Sequence, residues 1–360
     1  QLPVTVYGTL PIAYQWQMSD TNGVNWTNLT DNVRITGSQS NVLTIANAQL
    51  SDAGDYRLVA VNGSGQVTSA TANLVVGKLP LNFNVNGIGW QTNGSSWITS
   101  SNVLTLTDPS GRGGNGSFFF NYPQYIGAFK ASFTYQDVDQ GGADGFTFCV
   151  QNDVRGPGAL GGGGGSLGVS GITPSLEVEV NLYNGNSQIP GYDIKTNGLT
   201  GASGANGNYL SLTNYGINFN NGDPYDFTVA YAQGWLSLTI TDRVAGVSFN
   251  TMRFVGDLTR NLGSQTAYVG FTGAYGGVQS HQIITNFTFV SIPTAAIQLN
   301  GTNVSVSWPS VIPGYGLQRS TDLAAGNWVN VTNAPVLTNE LFQITVPVGS
   351  SNAFYRLNLQ

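Results

Sequence analysis

The chain has 360 residues, room for two or three domains at ~100 to 200 residues each. Hydrophobic residues make up 41% and aromatics 11%, which excludes a disordered chain; only 8% are charged and 48 are glycine, so the composition reads as β-strands and turns rather than helices with charged surfaces. A net charge of -6 with 12 scattered basic residues excludes a nucleic-acid partner, no run of 18 apolar residues is present to insert in a membrane, and the single cysteine, Cys149, precludes an intrachain disulfide.

In chain order, the first predicted strands are Val4–Val6, Ala13–Met18, Val42–Ile45, Tyr56–Asn62 and Gln66–Val76, separated by polar turns. Three motifs in this stretch, Tyr14-Gln-Trp-Gln17, Leu43-Thr-Ile45 and Asp52-Ala-Gly-Asp-Tyr56, resemble those of an immunoglobulin-like domain spanning residues 1–77. The resemblance implies a buried Trp16 and a tyrosine corner at Tyr56. It also places the family's two cysteines at Val4 and Leu58, so apolar packing must stand in for the disulfide. The chain opens on what would be the second strand of such a domain. Either upstream residues were removed, as a start at Gln1 without methionine suggests, or another copy or a neighbouring surface protein supplies the missing strand.

Gly77-Lys-Leu-Pro80 reads as a linker, and β alternation then runs without a break through a second domain, residues 78–292. Its predicted strands are Val103–Thr107, Ser117–Asn121, Ala128–Tyr135, Gly145–Gln151, Leu176–Tyr183, Tyr225–Ala232, Trp235–Asp242, Ala267–Thr272 and Ile283–Val290. Cys149 falls within the alternating run from Phe146 to Val150 and reads as a small buried hydrophobe. Several segments of this domain resemble the L-type (legume-type) lectins: Phe129-Lys-Ala-Ser-Phe-Thr-Tyr135, Ala143-Asp-Gly-Phe-Thr-Phe148, the glycine loop 161–168, Glu177-Val-Glu-Val-Asn-Leu-Tyr183, Tyr268-Val-Gly-Phe-Thr-Gly273 and Ile284-Thr-Asn-Phe-Thr-Phe289.

The resemblance implies a concanavalin-like jelly roll that holds a sugar. Hydroxyls need polar partners that accept and donate, and a pyranose face stacks on an aromatic ring. Asp144 matches the family's sugar-binding Asp, Gly163 and Gly164 sit where its backbone donor would be, Tyr275 frames the site, and Asn184 is the nearest candidate for its Asn. Without a ligand, the Asp-Gly pair reads as a turn and the five glycines as a flexible surface loop. The metal loop of the family departs most. Glu179, Asn181 and Tyr183 align with it, Asp193 is the only nearby later acid, and the only histidine, His281, is remote and reads as a surface residue. Calcium needs six or more hard oxygens, so no metal or other cofactor is expected here, with calcium kept as the minor alternative.

Glu177 and Glu179 alternate on one strand face like the carboxylate pair of some glycoside hydrolases, but the third acid is replaced by Asn181, and no Ser-His-Asp set is recoverable; no catalytic residue is expected. Ser291-Ile-Pro-Thr-Ala-Ala296 reads as a second linker. Residues 297–360 then carry Ser305–Pro309, Tyr315–Ser320, Asn327–Val331, Leu341–Val346 and Phe354–Leu357 as strands. Trp308-Pro, Tyr315-Gly-Leu-Gln-Arg-Ser320 and Phe354-Tyr-Arg-Leu357 resemble the fibronectin-like domain that closes many secreted proteins of Verrucomicrobia. The expectation is an all-β chain of three tandem sandwiches, extracellular or on the cell surface, that binds glycans without catalysis. A structural subunit of a head-to-tail filament and a glycoside hydrolase are the alternatives.

Overall fold

The computed structural model describes the chain except for residues 20–24, 47, 49–51, 53, 75–80, 84–86, 88, 101, 111–112, 186–188, 202–208, 313, 324–325, 350–351 and 360. Two compact units, Gln1–Pro80 and Leu81–Gln360, divide it. The predicted linker Gly77–Pro80 lies outside the described residues.

The first unit carries β1 (Leu2–Pro3), β2 (Ala13–Ser19), β3 (Trp26–Asn28), β4 (Ile35–Thr36), β5 (Val42–Ile45), β6 (Gly54–Asn62), β7 (Gly65–Thr68) and β8 (Ala72–Leu74). One sheet runs β1-β5-β4 and the other β3-β2-β6-β7, with β8 also paired to β6. Along β6 the alternate residues Gly54, Tyr56, Leu58 and Ala60 turn inward, and with Trp16, Ile35 and Leu43 they fill the space between the sheets. The Tyr56 hydroxyl donates to Asp52 O at 2.6 Å, and Arg34 Nη1 and Nη2 donate to the Asp52 carboxylate at 2.5 and 3.2 Å. Val4 and Leu58 both belong to this core, so the sandwich is closed by packing where a disulfide was not available. Two strand expectations need correction. The first strand is Leu2–Pro3 rather than Val4–Val6, and the stretch read as one strand from Gln66 splits at residues 69–71, where Ser69 bonds back to Leu58.

The second unit begins with β9 (Trp90–Gly94), β10 (Trp97–Ser100), β11 (Val103–Thr107), β12 (Asn115–Phe120), β13 (Gln124–Tyr125), β14 (Ala128–Asp137), β15 (Gly145–Gln151) and β16 (Ser175–Asn181). It continues with β17 (Gly191–Thr196), β18 (Tyr225–Ala232), β19 (Trp235–Asp242), β20 (Ser248–Phe254), the short α1 (Leu258–Asn261), β21 (Thr266–Ala274) and β22 (Gln282–Ser291). Two antiparallel sheets result, one ordered β10-β11-β22-β14-β18-β19-β20 and one ordered β17-β16-β15-β21-β12-β9 with β13 on β21. Their facing sides interlock through aromatic rings; Phe133 stacks on Phe227 at 4.9 Å and meets Phe271 edge-on at 4.9 Å.

The second sheet is buried on its other side too, which is why all seven residues of both β15 and β16 are buried. A loop spanning residues 152–174 lies over that side. Thr272 Oγ1 donates to Leu167 O at 2.7 Å and Ser117 Oγ to Ala159 O at 2.6 Å, while Cys149 packs with Phe119, Ala159, Leu167, Val169 and Ile172.

The chain closes with β23 (Ala296–Asn300), β24 (Asn303–Pro309), β25 (Tyr315–Ser320), β26 (Val329–Asn330), β27 (Val336–Thr338), β28 (Leu341–Pro347) and β29 (Phe354–Leu359). They form sheets β23-β24-β28-β27 and β26-β25-β29 around Val306, Trp308, Leu317 and Ile344. No helix among the described residues is long and apolar enough to cross a membrane.

Candidate functional site

Asp144 is fixed by its backbone before its side chain matters. Its N–H donates to Ala274 O at 2.9 Å and its carbonyl accepts from Leu182 N at 2.8 Å, tying the entry of β15 to the ends of β21 and β16. Gly145 follows at φ +148° with no room for a Cβ, which would lie 2.0 Å from Val180 O. Only glycine lets the chain turn here, so Asp144 is held at the sheet edge.

The carboxylate is 8% exposed, and its Oδ2 is shielded and accepts no hydrogen bond among the described residues. Burial pushes its pKa above the ordinary carboxylate value, with the Gly276 N–H opposing. Two glycines roof it. A Cβ on Gly276 would stand 3.0 Å from Oδ2 and 3.5 Å from the Cα of Gly164.

The glycine run is an ordered loop rather than a free coil. Gly161 N donates to Gly168 O at 2.7 Å and Gly168 N to Gly162 O at 2.8 Å, while Asn115 Nδ2 holds Gly161 O at 2.8 Å. Arg155 clamps the same loop, bonding Leu160 O at 2.9 Å, Gly171 O at 2.8 Å and Asp153. Gly163 lies over Asn115, and the Gly163 and Gly164 N–H groups bond nothing among the described residues.

Tyr275 completes the frame. Its N–H donates to Gly114 O at 2.7 Å, and its half-buried ring lies so close over Gly114 that a Cβ there would be 2.5 Å away. The structure therefore gathers Asp144, Gly164 and the 275–276 turn, with Gly163 and Asn115 beside them. Asn184 is exposed and makes no hydrogen bond among the described residues. Asn220, which no motif marks, is held by Nδ2 to Leu182 O at 2.9 Å near Gly142, and its buried Oδ1 has no partner among the described residues. The signal that could have found it is weak: an asparagine in a polar loop, distant in sequence.

A second polar cluster lies on β16 and β17. Glu177, Glu179 and Asn181 share the face turned away from the aromatic interior and are all buried. Glu177 Oε1 accepts from Ser175 Oγ and from Gly198 N at 2.8 Å, and Glu179 Oε1 accepts from Gly201 N at 3.2 Å. Burial pushes both carboxyls up to about 7.

Lys195 Nζ stands 3.4 Å from Asp193 and 3.9 Å from Glu179, and Arg253 Nη1 stands 2.7 Å from Asp193. Asn181 spends its amide on Tyr183 O and Ile189 O at 2.8 and 3.0 Å. Two cations of the chain already face Asp193, and among the described residues no group of three His, Cys, Asp or Glu side chains is placed to hold a metal ion, so the residues that align with the lectin metal loop do not fit a divalent cation. His281 is half-buried just before β22, and its Nε2 has no hydrogen-bond partner among the described residues.

Residues 1–76 match the immunoglobulin I-set domain. Among solved structures, the chain is similar to basic winged bean lectin with Tn-antigen, at 17% identity over 58% of this chain and 94% of that chain, TM-score 0.48. Peanut lectin with a 9mer peptide is similar at 21% identity over 60% and 99% of the two chains, TM-score 0.48. Lectin I from Ulex europaeus with the methyl glycoside of alpha-L-fucose is similar at 20% identity over 58% and 94%, TM-score 0.46.

Proposed function

We propose that the chain is an extracellular or cell-surface carbohydrate-binding protein, that its central sandwich, residues 78–292, holds a glycan at Asp144, and that the immunoglobulin-like and C-terminal sandwiches act as spacers. One observation carries the reading: a buried carboxylate whose Oδ2 has only the Gly276 N–H near it and completes no hydrogen bond among the described residues, roofed by two glycines, in a loop where the Gly163 and Gly164 N–H groups are also unbonded among the described residues. Leaving a buried acceptor unpaired costs ~1–3 kcal/mol, and a pair of sugar hydroxyls donating to it would offset that cost. The glycines keep the approach open, and Tyr275 offers the ring edge of the frame.

The binding reading needs neither catalysis nor a metal. Glu177, the best-placed acid for hydrolysis, is fully buried with Oε1 engaged by Ser175 and Gly198, which supports a structural carboxyl over a nucleophile. Lys195 and Arg253 supply the positive charge at Asp193 from within the chain.

A glycan array probed with the whole chain and with Asp144→Asn tests the proposal. The substitution keeps the shape but turns an acceptor oxygen into a donor, so binding should weaken at least tenfold with the thermal midpoint unchanged. Equal binding by the variant, or no glycan bound by the unaltered chain, overturns it.

A head-to-tail structural subunit is the second reading. It is favoured by the outer edge of β1, which has β5 on one side and no paired strand on the other among the described residues.

A further inference from the structure

We infer that the central sandwich carries a second saccharide site at its opposite end, in the pocket between Tyr125, Phe254 and Asp257, and that this site takes a neutral hexopyranose ring. The inference shares its ligand class with the carbohydrate reading above, but it uses different residues and stands or falls separately.

The position follows from register. β13 pairs with the first residues of β21, Tyr125 opposite Thr266, whereas Asp144 bonds Ala274 at the last. Eight residues of strand separate them, about 27 Å at ~3.4 Å per residue.

The pocket holds about 460 Å³, within the ~300–1,000 Å³ usual for small-molecule sites. Two glycines let aromatic rings close on it. The Tyr125 hydroxyl lies 2.1 Å from where a Cβ on Gly127 would stand, and the Phe254 ring lies 2.6 Å from where one on Gly234 would stand, Gly234 being at φ +85°. Any other residue at either place would displace the ring.

The chemistry of the walls then selects the ligand. Phe254 is 60% exposed yet braced edge-on by Trp235 at 5.3 Å, so it presents a fixed apolar face to the solvent. A pyranose needs such a face for its C–H side. The Gln233 amide makes no hydrogen bond among the described residues, and Asp257 uses only Oδ1, on Thr259 and Arg260, leaving Oδ2 open; hydroxyls need this pairing of donor and acceptor. The lining contains no lysine or arginine, and its one charge is the Asp257 carboxylate, so phosphorylated and uronic sugars are repelled and neutral ones are not.

Saturation-transfer NMR on the whole chain with the methyl α-glycosides of glucose, galactose and mannose tests the inference, using Asp144→Asn, Phe254→Ala, and the two combined. Phe254 is largely exposed, so its variant should fold with an unchanged thermal midpoint. Asp257→Asn, which retains a side-chain oxygen to cap α1, is the second probe of the same pocket. With Asp144→Asn in place, at least one glycoside should still bind, and adding Phe254→Ala or Asp257→Asn should weaken that binding at least tenfold. Loss of all binding on Asp144→Asn alone overturns the second site and leaves the first. Binding that Phe254→Ala abolishes and Asp144→Asn leaves untouched removes the first and keeps the second. Residual binding unmoved by Phe254→Ala and Asp257→Asn, or no binding by the unaltered chain, overturns the inference.

Discussion

Glu177 sits on β16 with no solvent contact, its Oε1 held by Ser175 and Gly198 and its Oε2 without a partner among the described residues; Glu179, two residues on, is nearly as deep. Both carboxyls rise from 4.5 to about 7 on folding, first of all because burial disfavours the charge. Asp137, also buried, rises to about 7 with the same sign. Between the unfolded and folded values the native state binds more protons than the unfolded chain, so stability falls as pH rises from about 4.5 to about 7 and levels off above. Each glutamate contributes on the order of 3 kcal/mol to that fall. Urea unfolding at pH 5 and pH 8 should therefore show the chain more stable at pH 5, and Glu177→Gln with Glu179→Gln should flatten most of the difference. A steeper loss of stability toward acid would show that these carboxyls are charged in the fold.

At the scale of elements, alternation was legible where a strand has one apolar side or lies between two covers. β11, β15, β18 and β19 begin and end where the pattern of Val103–Thr107, Gly145–Gln151, Tyr225–Ala232 and Trp235–Asp242 places them. β17 was not legible, because Gly191-Tyr-Asp-Ile-Lys-Thr196 has charges at alternate positions and reads as surface. Asp193 is buried and Lys195 partly so, and they are matched across space: Lys195 to Asp193 and Glu179, and Arg253, on β20, to Asp193 from 60 residues away. The candidate site divides the same way. Asp144, the glycine loop and the turn at Tyr275 could be found from their own segments, but Asn220 comes from a loop that only the folded sheet order brings near.

The β17 cluster yields a prediction of its own. At pH 8, where Glu179 is charged, Lys195→Met leaves Glu179 without its cation and Asp193 with only Arg253, and breaking a buried pair costs ~3–5 kcal/mol. The thermal midpoint should fall by roughly 6–20 °C at ~2–4 °C per kcal/mol. Addition of a chelator should leave the unaltered chain where it was. A fall in its midpoint on chelation would mean that a metal, not Lys195, holds this corner.

The chain is built of sandwiches in tandem, and whether it joins others turns on the edge of β1. In the β1–β5 ladder Leu2 faces Leu43 and Pro3 faces Val42, and Val4 N donates inward to Asn41 O at 2.9 Å. Alternation then turns Pro3 outward, where a joining strand would look for an N–H that proline does not have. The edge has no paired strand among the described residues, yet its outward donor is missing at Pro3, a device that keeps edges from pairing. The glycan-binding reading is favoured over the filament on this ground, and it makes a distinct expectation. The chain should sediment as a monomer up to high concentration, while Pro3→Thr, which restores the donor and leaves the inward face untouched, should show concentration-dependent association. Fibres or dimers formed by the unaltered chain at micromolar concentration would reverse the order of the two readings, because an edge with a missing donor would then have to be recruited by the apolar side chains of Leu2, Val4 and Val6 alone, which already pack on their own core.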